Sequence, residues 1–371
     1  MENLTHSLVG AALAEVALPN DARRAQRTIF FVAGVLSANL PDGDLLYSNI
    51  MAPPLGYLLQ HRGYTHTIVG CLALAFIVGV FGFVPAIRDR LGAERRRWWA
   101  LIVIALLSHL TLDWWNSYGV HPFWPFDDRW FYGDAINIFE PLLWVTLGVV
   151  VAMNAVRAVS RVAVFLLAAG GVLGVAAIGA IRPGSAIASE LIVVVLLVAL
   201  WRASRRTRAA ISLALSCVFV VAMFAMSRVA RAEIVRLQQR APSDVLVDVV
   251  LTPAAANPLC WSAVTIEHAP AADTYTLGRG RVALFAKSLR ACDSGWSRTE
   301  TQSLTKLRDL RGDNCRVAAW LQFGRAPMIE GTRIFDYRFG ANNFTDMAFT
   351  EGAVPCPRFL TPWRPPREDL F

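Results

Sequence analysis

The sequence predicts an α-helical multi-pass membrane bundle of about eight membrane segments, the first two short, followed by a small C-terminal β-rich (α+β) extracytoplasmic domain. Three observations carry this. The chain is 55% hydrophobic and only 17% charged, with a mean hydropathy of +0.43, more apolar than a soluble chain of 371 residues requires. Its apolar runs are separated by short arginine-rich connections. Its last third changes to alternating apolar and polar residues and holds four of the six cysteines. The boundary falls near residue 231, giving a membrane domain over 1–231 and an extracytoplasmic domain over 232–371.

The first two segments, 4–18 and 28–41, carry His6 and Asn39 and read as a short antiparallel hairpin. No cleavable leader is expected, because "MENLTHSLVG" lacks a basic start. Longer runs follow at 66–84, 98–117, 139–156, 161–181 and 210–230, with a shorter one from Ile187 to Trp201. The connections "PNDARRAQR", "IRDRLGAERRR", Arg157 with Arg161, and "RASRRTR" face the cytoplasm by the positive-inside rule. The alternate connections then face outward, as do both termini. Arg228, Arg231, Arg236 and Arg240 run against that assignment, which rests on the first loops. The net charge of +8 therefore belongs to membrane loops and implies no nucleic acid.

In the last third, "DVLVDVVLTP", "CWSAVTIEH", "TYTLGRGRVALFA" and "CRVAAWLQFGR" read as strands. Cys260, Cys292, Cys315 and Cys356 suggest two disulfides in an oxidising compartment, with three connectivities open.

Histidine distribution points to function. His6, His61, His66, His109 and His121 all map to outward ends of segments or to outer loops. In "LPDGD", Asp42 and Asp44 flank Gly43, so two carboxylates can face one cation from a tight turn. In "SHLTLDWW", His109 and Asp113 stand four residues apart on one helical face, a spacing that lets a nitrogen and an oxygen share one metal. "HRGYTH" adds His61 and His66, with Arg62 either a clamp for an anionic oxygen or an anchor to lipid phosphate. Glu140, directly before Pro141, is a carboxylate at another outward helix end, a candidate ligand or general base. This nitrogen and oxygen set without thiolate suits one or two zinc-like divalent ions and hydrolytic chemistry. In that reading Asp44 or Glu140 takes a proton from a metal-activated water, and Arg62 holds the substrate. Trp114, Trp115, Trp124 and Trp130 line an acyl or headgroup path, or form an interfacial belt. A serine or cysteine nucleophile is not apparent, and "LGRGR" is no nucleotide loop.

"THSLVGA", "LPDGD", "HRGYTHT", "SHLTLDWWNSYGVHPFWPF" and "IFEPLLW" together resemble the YdjM-type inner-membrane metal-dependent hydrolases, also called LexA-binding membrane proteins, over roughly residues 1–145. The resemblance implies a bacterial inner-membrane hydrolase whose metal-binding residues are His6, Asp42, Asp44, His61, His66, His109 and Asp113. The His109/Asp113 pair is also distantly similar to an element of zinc-dependent phospholipase C, although the second His-x-x-x-Glu pair of that family is absent. Nothing in the sequence resembles a LexA contact, and the protein partner stays open. The expected substrate is an ester or phosphoester reached from the bilayer. The alternatives are a non-enzymatic scaffold or regulator with a structural metal, or a transporter, against which the gathering of all ligand candidates at one face counts.

Overall fold

The computed structural model describes residues 1–19, 21–155, 183–237, 244–285, 294–356 and 361–370, with Cys292 and scattered positions between 159 and 173. Helices α1 (Asn3–Ala17) and α2 (Arg24–Asn39) form an antiparallel hairpin. They cross backbone to backbone: a Cβ on Gly34 would lie 2.4 Å from the Gly10 carbonyl oxygen, and one on Gly10 would lie 2.8 Å from the Ala38 methyl. Small residues at this crossing admit the close approach. Pro41 follows α2, and the chain tightens into a 3-10 segment, Leu40–Leu46. Then come α3 (Leu55–Gln60), a 3-10 turn at Tyr64–His66, α4 (Ile68–Val80) capped by the Thr67 hydroxyl, α5 (Pro85–Leu91) and α6 (Arg95–Trp114). Beyond a long loop lie α7 (Pro141–Asn154), α8 (Pro183–Leu200) and α9 (Arg205–Leu237).

This corrects the expectation of about eight membrane segments. Among the described residues, two stretches are long and apolar enough to cross a bilayer, Arg24–Leu46 and Arg205–Leu237. A third is added if Leu55–His66 and Ile68–Phe83, bent by 67°, count as one broken span. The reason is length and charge. Fourteen residues of α7 rise about 21 Å against a hydrocarbon core of about 30 Å, and α1 and α4 are similarly short. Helix α6 has the length, but opens on three arginines and carries His109 and Asp113. The second segment, read as short, is extended by its 3-10 continuation to 23 residues. The expected segment at 161–181 falls mostly outside the described residues.

The C-terminal part is α+β. A four-stranded antiparallel meander in the order β1-β2-β3-β4 comprises β1 (Val245–Ala254), β2 (Asn257–Ala269), β3 (Thr274–Ala283) and β4 (Gly295–Ser303). Helices α10 (Leu304–Asp313) and α11 (Cys315–Leu321) follow, then a small sheet of β5 (Pro327–Glu330), β6 (Arg333–Asp336) and β7 (Met347–Ala348). The first three expected strands form. The fourth, "CRVAAWLQFGR", is instead α11. The Asn314 side chain accepts from the Arg316 and Val317 amides at 3.1 and 3.2 Å, and buried Val317, Trp320 and Leu321 recur at helical spacing. The disulfides are Cys260–Cys292 and Cys315–Cys356.

The C-terminal core does not close on itself. It is continuous with Leu55, Leu58, Leu59, Tyr118 and Trp130 from the helical half. The Trp363 indole donates to the Leu59 carbonyl at 2.8 Å, and the Trp130 indole to the Gln322 carbonyl at 2.7 Å. Arg325 is buried between Asp134 of the α6–α7 loop and Asp248 of β1, with contacts of 2.8 Å to each. Arg231, near the end of α9, joins the same group, 3.2 Å from Asp134. The C-terminal part is thus seated on the segments that flank the histidines.

Candidate metal centre

Four elements bring the ligand candidates together. On α6 the four-residue spacing stacks His109 over Asp113, placing Nε2 3.3 Å from Oδ2. The 3-10 turn supplies His66, whose Nε2 lies 2.9 Å from His109 Nε2, 3.1 Å from Asp113 Oδ2 and 3.4 Å from Asp42 Oδ1. The Asp42 Oδ1 to His109 Nε2 distance is also 3.4 Å. In the 3-10 segment Leu40–Leu46, residues two apart point in different directions. Asp42 therefore faces His66 and His109, while Asp44 faces His61 and the far side of His66.

Asp42, His66, His109 and Asp113 form one group able to hold a metal ion, and Asp42, Asp44 and His61 a second. Zinc bonds of about 2.0–2.1 Å in a tetrahedron imply ligand-to-ligand edges of about 3.3 Å. Five of the six edges in the first group run from 2.9 to 3.4 Å. Hydrogen bonding points the same way. His109 Nδ1 donates to the Ala38 carbonyl at 2.7 Å, and His66 Nδ1 is 3.1 Å from Asp44 Oδ2. With both Nδ1 atoms so engaged, the two Nε2 atoms face each other at 2.9 Å, a contact that needs a proton or a cation between them. Asp113 Oδ2 is buried without a hydrogen-bond partner, as are both nitrogens of His6. The donor set and its geometry fit a divalent ion.

The remaining candidates surround this group. His6 stacks on His109 with ring centroids 3.8 Å apart, and its Nε2 is 3.5 Å from Asp113 Oδ1. The α1 cap is Glu2, whose carboxylate accepts from the Thr5 amide and from the Trp144 indole at 2.8 and 2.6 Å. Asp44 is the organiser. It takes His61 Nδ1 at 2.9 Å on one oxygen, and on the other the Arg62 amide and the Thr65 hydroxyl, both at 3.0 Å. Arg62 adopts a left-handed backbone with φ +61°. Its buried guanidinium reaches Asp113 Oδ1 at 2.9 Å and Asn116 Oδ1 at 3.1 Å, and lies over the Tyr118 ring. Its guanidinium is therefore buried and engaged by Asp113 and Asn116, while its Nε has no hydrogen-bond partner among the described residues. The Met1 amine also contacts Asp113 Oδ1.

Glu140 belongs to neither group. It caps α7 through the Leu142 amide and ties that helix to the β1–β2 turn through the Ala256 amide, both at 3.2 Å. Burial pushes its carboxyl up to about 8. His121 is sandwiched against Trp363 and Trp130, and burial pushes its imidazole down to about 3, so it stays neutral. Of the tryptophans, Trp124 and Trp130 pack at the junction with the C-terminal part, and Trp114 lies beside Phe224 of α9. Sequence reading missed Thr65, Asn116 and the Ala38 carbonyl. Thr65 stands inside the "HRGYTH" motif, but its contact with Asp44 depends on the fold.

Residues 1–182 of the 371 match the model of the YdjM inner membrane protein family. This part of the chain is similar to the YdjM family. The matched region contains both candidate metal groups entire, and together with the apolar helices it supports a membrane protein. It is also similar to the uncharacterized protein YfhP of Bacillus subtilis (strain 168), 26% identical over 153 residues, covering 39% of this chain and 44% of that protein. The match thus spans less than half the length of that relative. No solved structure matches the chain. The family match supports the inner-membrane resemblance and not the distant likeness to phospholipase C.

Proposed function

We propose that the protein is a membrane-bound metal-dependent hydrolase acting on an ester or phosphoester of a membrane-associated substrate, with its site on the extracytoplasmic side of the inner membrane. The observation that carries the reading is the buried cluster of His66, His109, Asp42 and Asp113, whose ligand atoms stand 2.9 to 3.4 Å apart along five of the six edges. A divalent ion there, zinc by the nitrogen and oxygen donors, supplies Lewis acidity and an activated water near neutral pH. The chain provides the rest. His61, 10% exposed where His66 and His109 are fully buried, is backed by Asp44 at 2.9 Å. That contact orients the ring, which places His61 to accept a proton at the open edge. Asp44 acts by positioning His61 and His66, and Glu140 by capping α7. An apolar rim adjoins this edge: Leu45 and Leu46 follow Asp44 directly and are exposed, and the Tyr57 ring lies 5.0 Å from His61 and 5.5 Å from Phe344. It suits a substrate with a hydrocarbon portion.

The burial of His66, His109 and Asp113 favours a second reading, a structural metal in a membrane scaffold. Full-length protein in lipid nanodiscs, loaded with zinc and offered phospholipid and polyprenyl phosphate esters, separates the two. The hydrolase reading expects turnover that falls at least 100-fold in His109→Ala and Asp113→Ala. Bound metal without turnover of any ester leaves the scaffold reading.

A further inference from the structure

We infer that the end of the helical bundle opposite the metal centre holds a binding site for the phosphate headgroup of an anionic phospholipid. A cavity of about 350 Å³ opens there between α1, α2, α7 and the start of α9. Along α1, His6 and Glu15 on the cavity wall are nine positions apart, about 14 Å at 1.5 Å per residue. The two ends are therefore distinct sites.

Three arginines line the cavity, Arg24, Arg27 and Arg205, against one carboxylate, Glu15. Glu15 is already shared: Arg205 holds it at 2.8 Å and Arg27 at 3.4 Å. The set keeps two positive charges in excess, and the Arg24 guanidinium has no hydrogen-bond or ion-pair partner among the described residues. Paired arginines beside an unpaired one make a preorganised fork for phosphate oxygens.

Depth selects the source of that phosphate. Arg24 and Arg205 are the first residues of the two stretches able to cross the bilayer, Arg24–Leu46 and Arg205–Leu237, so the cavity lies at headgroup level. Its inner wall is apolar: Ala11, Phe31 and Val151 stand one to two turns deeper, and Phe31 is 44% exposed. A cationic mouth above an apolar wall matches an anionic headgroup with its acyl chain, and a free anion would use only the mouth.

The test is native mass spectrometry of the full chain in detergent, titrated with phosphatidylglycerol or phosphatidylcholine. Arg24→Gln is the informative variant, because this guanidinium holds no other group in place. Arg96→Gln removes the same charge from an exposed residue at the same end of the bundle, outside the cavity. The inference expects phosphatidylglycerol to be retained in preference to phosphatidylcholine. It expects retention to weaken roughly five-fold in Arg24→Gln, the effect of one basic residue at a lipid surface, and to stay unchanged in Arg96→Gln. Millimolar inorganic phosphate leaves the lipid bound. Equal retention of both lipids, or equal weakening by both variants, overturns the site. Displacement by inorganic phosphate overturns its assignment to lipid.

Discussion

Asp44 illustrates how one carboxylate governs the site without joining the tetrahedral group. Its two oxygens fix His61, His66, the Arg62 amide and Thr65 at once. A carboxylate behind a histidine ligand sets the tautomer and raises the basicity of the far nitrogen. Asp44→Asn keeps the volume and loses the charge. We expect it to weaken zinc affinity about 10- to 100-fold, measured by competition with a chromophoric chelator, with little change in melting temperature. At this scale the sequence was informative where spacing determines geometry. His109 and Asp113 are adjacent because a helix makes them so, and Asp42 and Asp44, expected to face one cation, both belong to the group with His61. Partners from distant segments were not legible. Arg62 looked like a membrane-edge cation, and only the fold shows it buried against Asp113 and Asn116.

Among the elements, the α1–α2 crossing sets the floor of the site. Gly34 lets α2 lie against α1, and one turn later Ala38 presents its carbonyl to His109. Gly34→Val would drive a side chain into the Gly10 backbone. Overpacking of this kind costs about 1–3 kcal/mol, so the expected outcome is a lower melting temperature together with weaker metal binding. Gly43→Ala, between Asp42 and Asp44, is expected to be neutral in a thermal melt, since nothing lies within 4 Å of its Cβ. Element type was readable from apolar runs and turn residues. Span number was not, because an apolar run of 14 residues can be a buried helix as readily as part of a membrane span. The helix α11 was hidden for a related reason: a short apolar run alternates well enough to look like a strand, and its cap, Asn314, decides otherwise.

Over the whole molecule, the C-terminal part acts as a clamp on the segments carrying the histidines. Trp363 holds Leu59, just before His61, and Arg325 joins Asp134 to Asp248. Burial alone would raise the Asp248 carboxyl, but the guanidinium of Arg325 wins and holds it well below the usual carboxylate range. A depressed acid contributes stability that is fully present above its unfolded value, about 3.9, and is lost as pH falls through the lower folded value. The clamp is therefore intact at neutral pH and loosens in acid below about pH 4. Hydrogen exchange in the loop 115–139 should rise over that range. Arg325→Met should raise it already at pH 7, since removing one partner of a buried ion pair costs about 3–5 kcal/mol. The four cysteines announced a covalently braced domain, whereas its seat on the helical half depends on contacts between residues up to 304 positions apart, which no local pattern encodes.

The central claim is that His66, His109, Asp42 and Asp113 hold a divalent ion. Elemental analysis of full-length protein, purified without added chelator, tests it most directly when set beside Asp113→Ala and His66→Ala variants of confirmed folding. The account predicts at least one equivalent of a divalent transition metal, zinc foremost, in the parent chain and less than a tenth of that in each variant. Parent protein without metal after zinc loading and buffer exchange, or variants that retain it in full, would contradict the account.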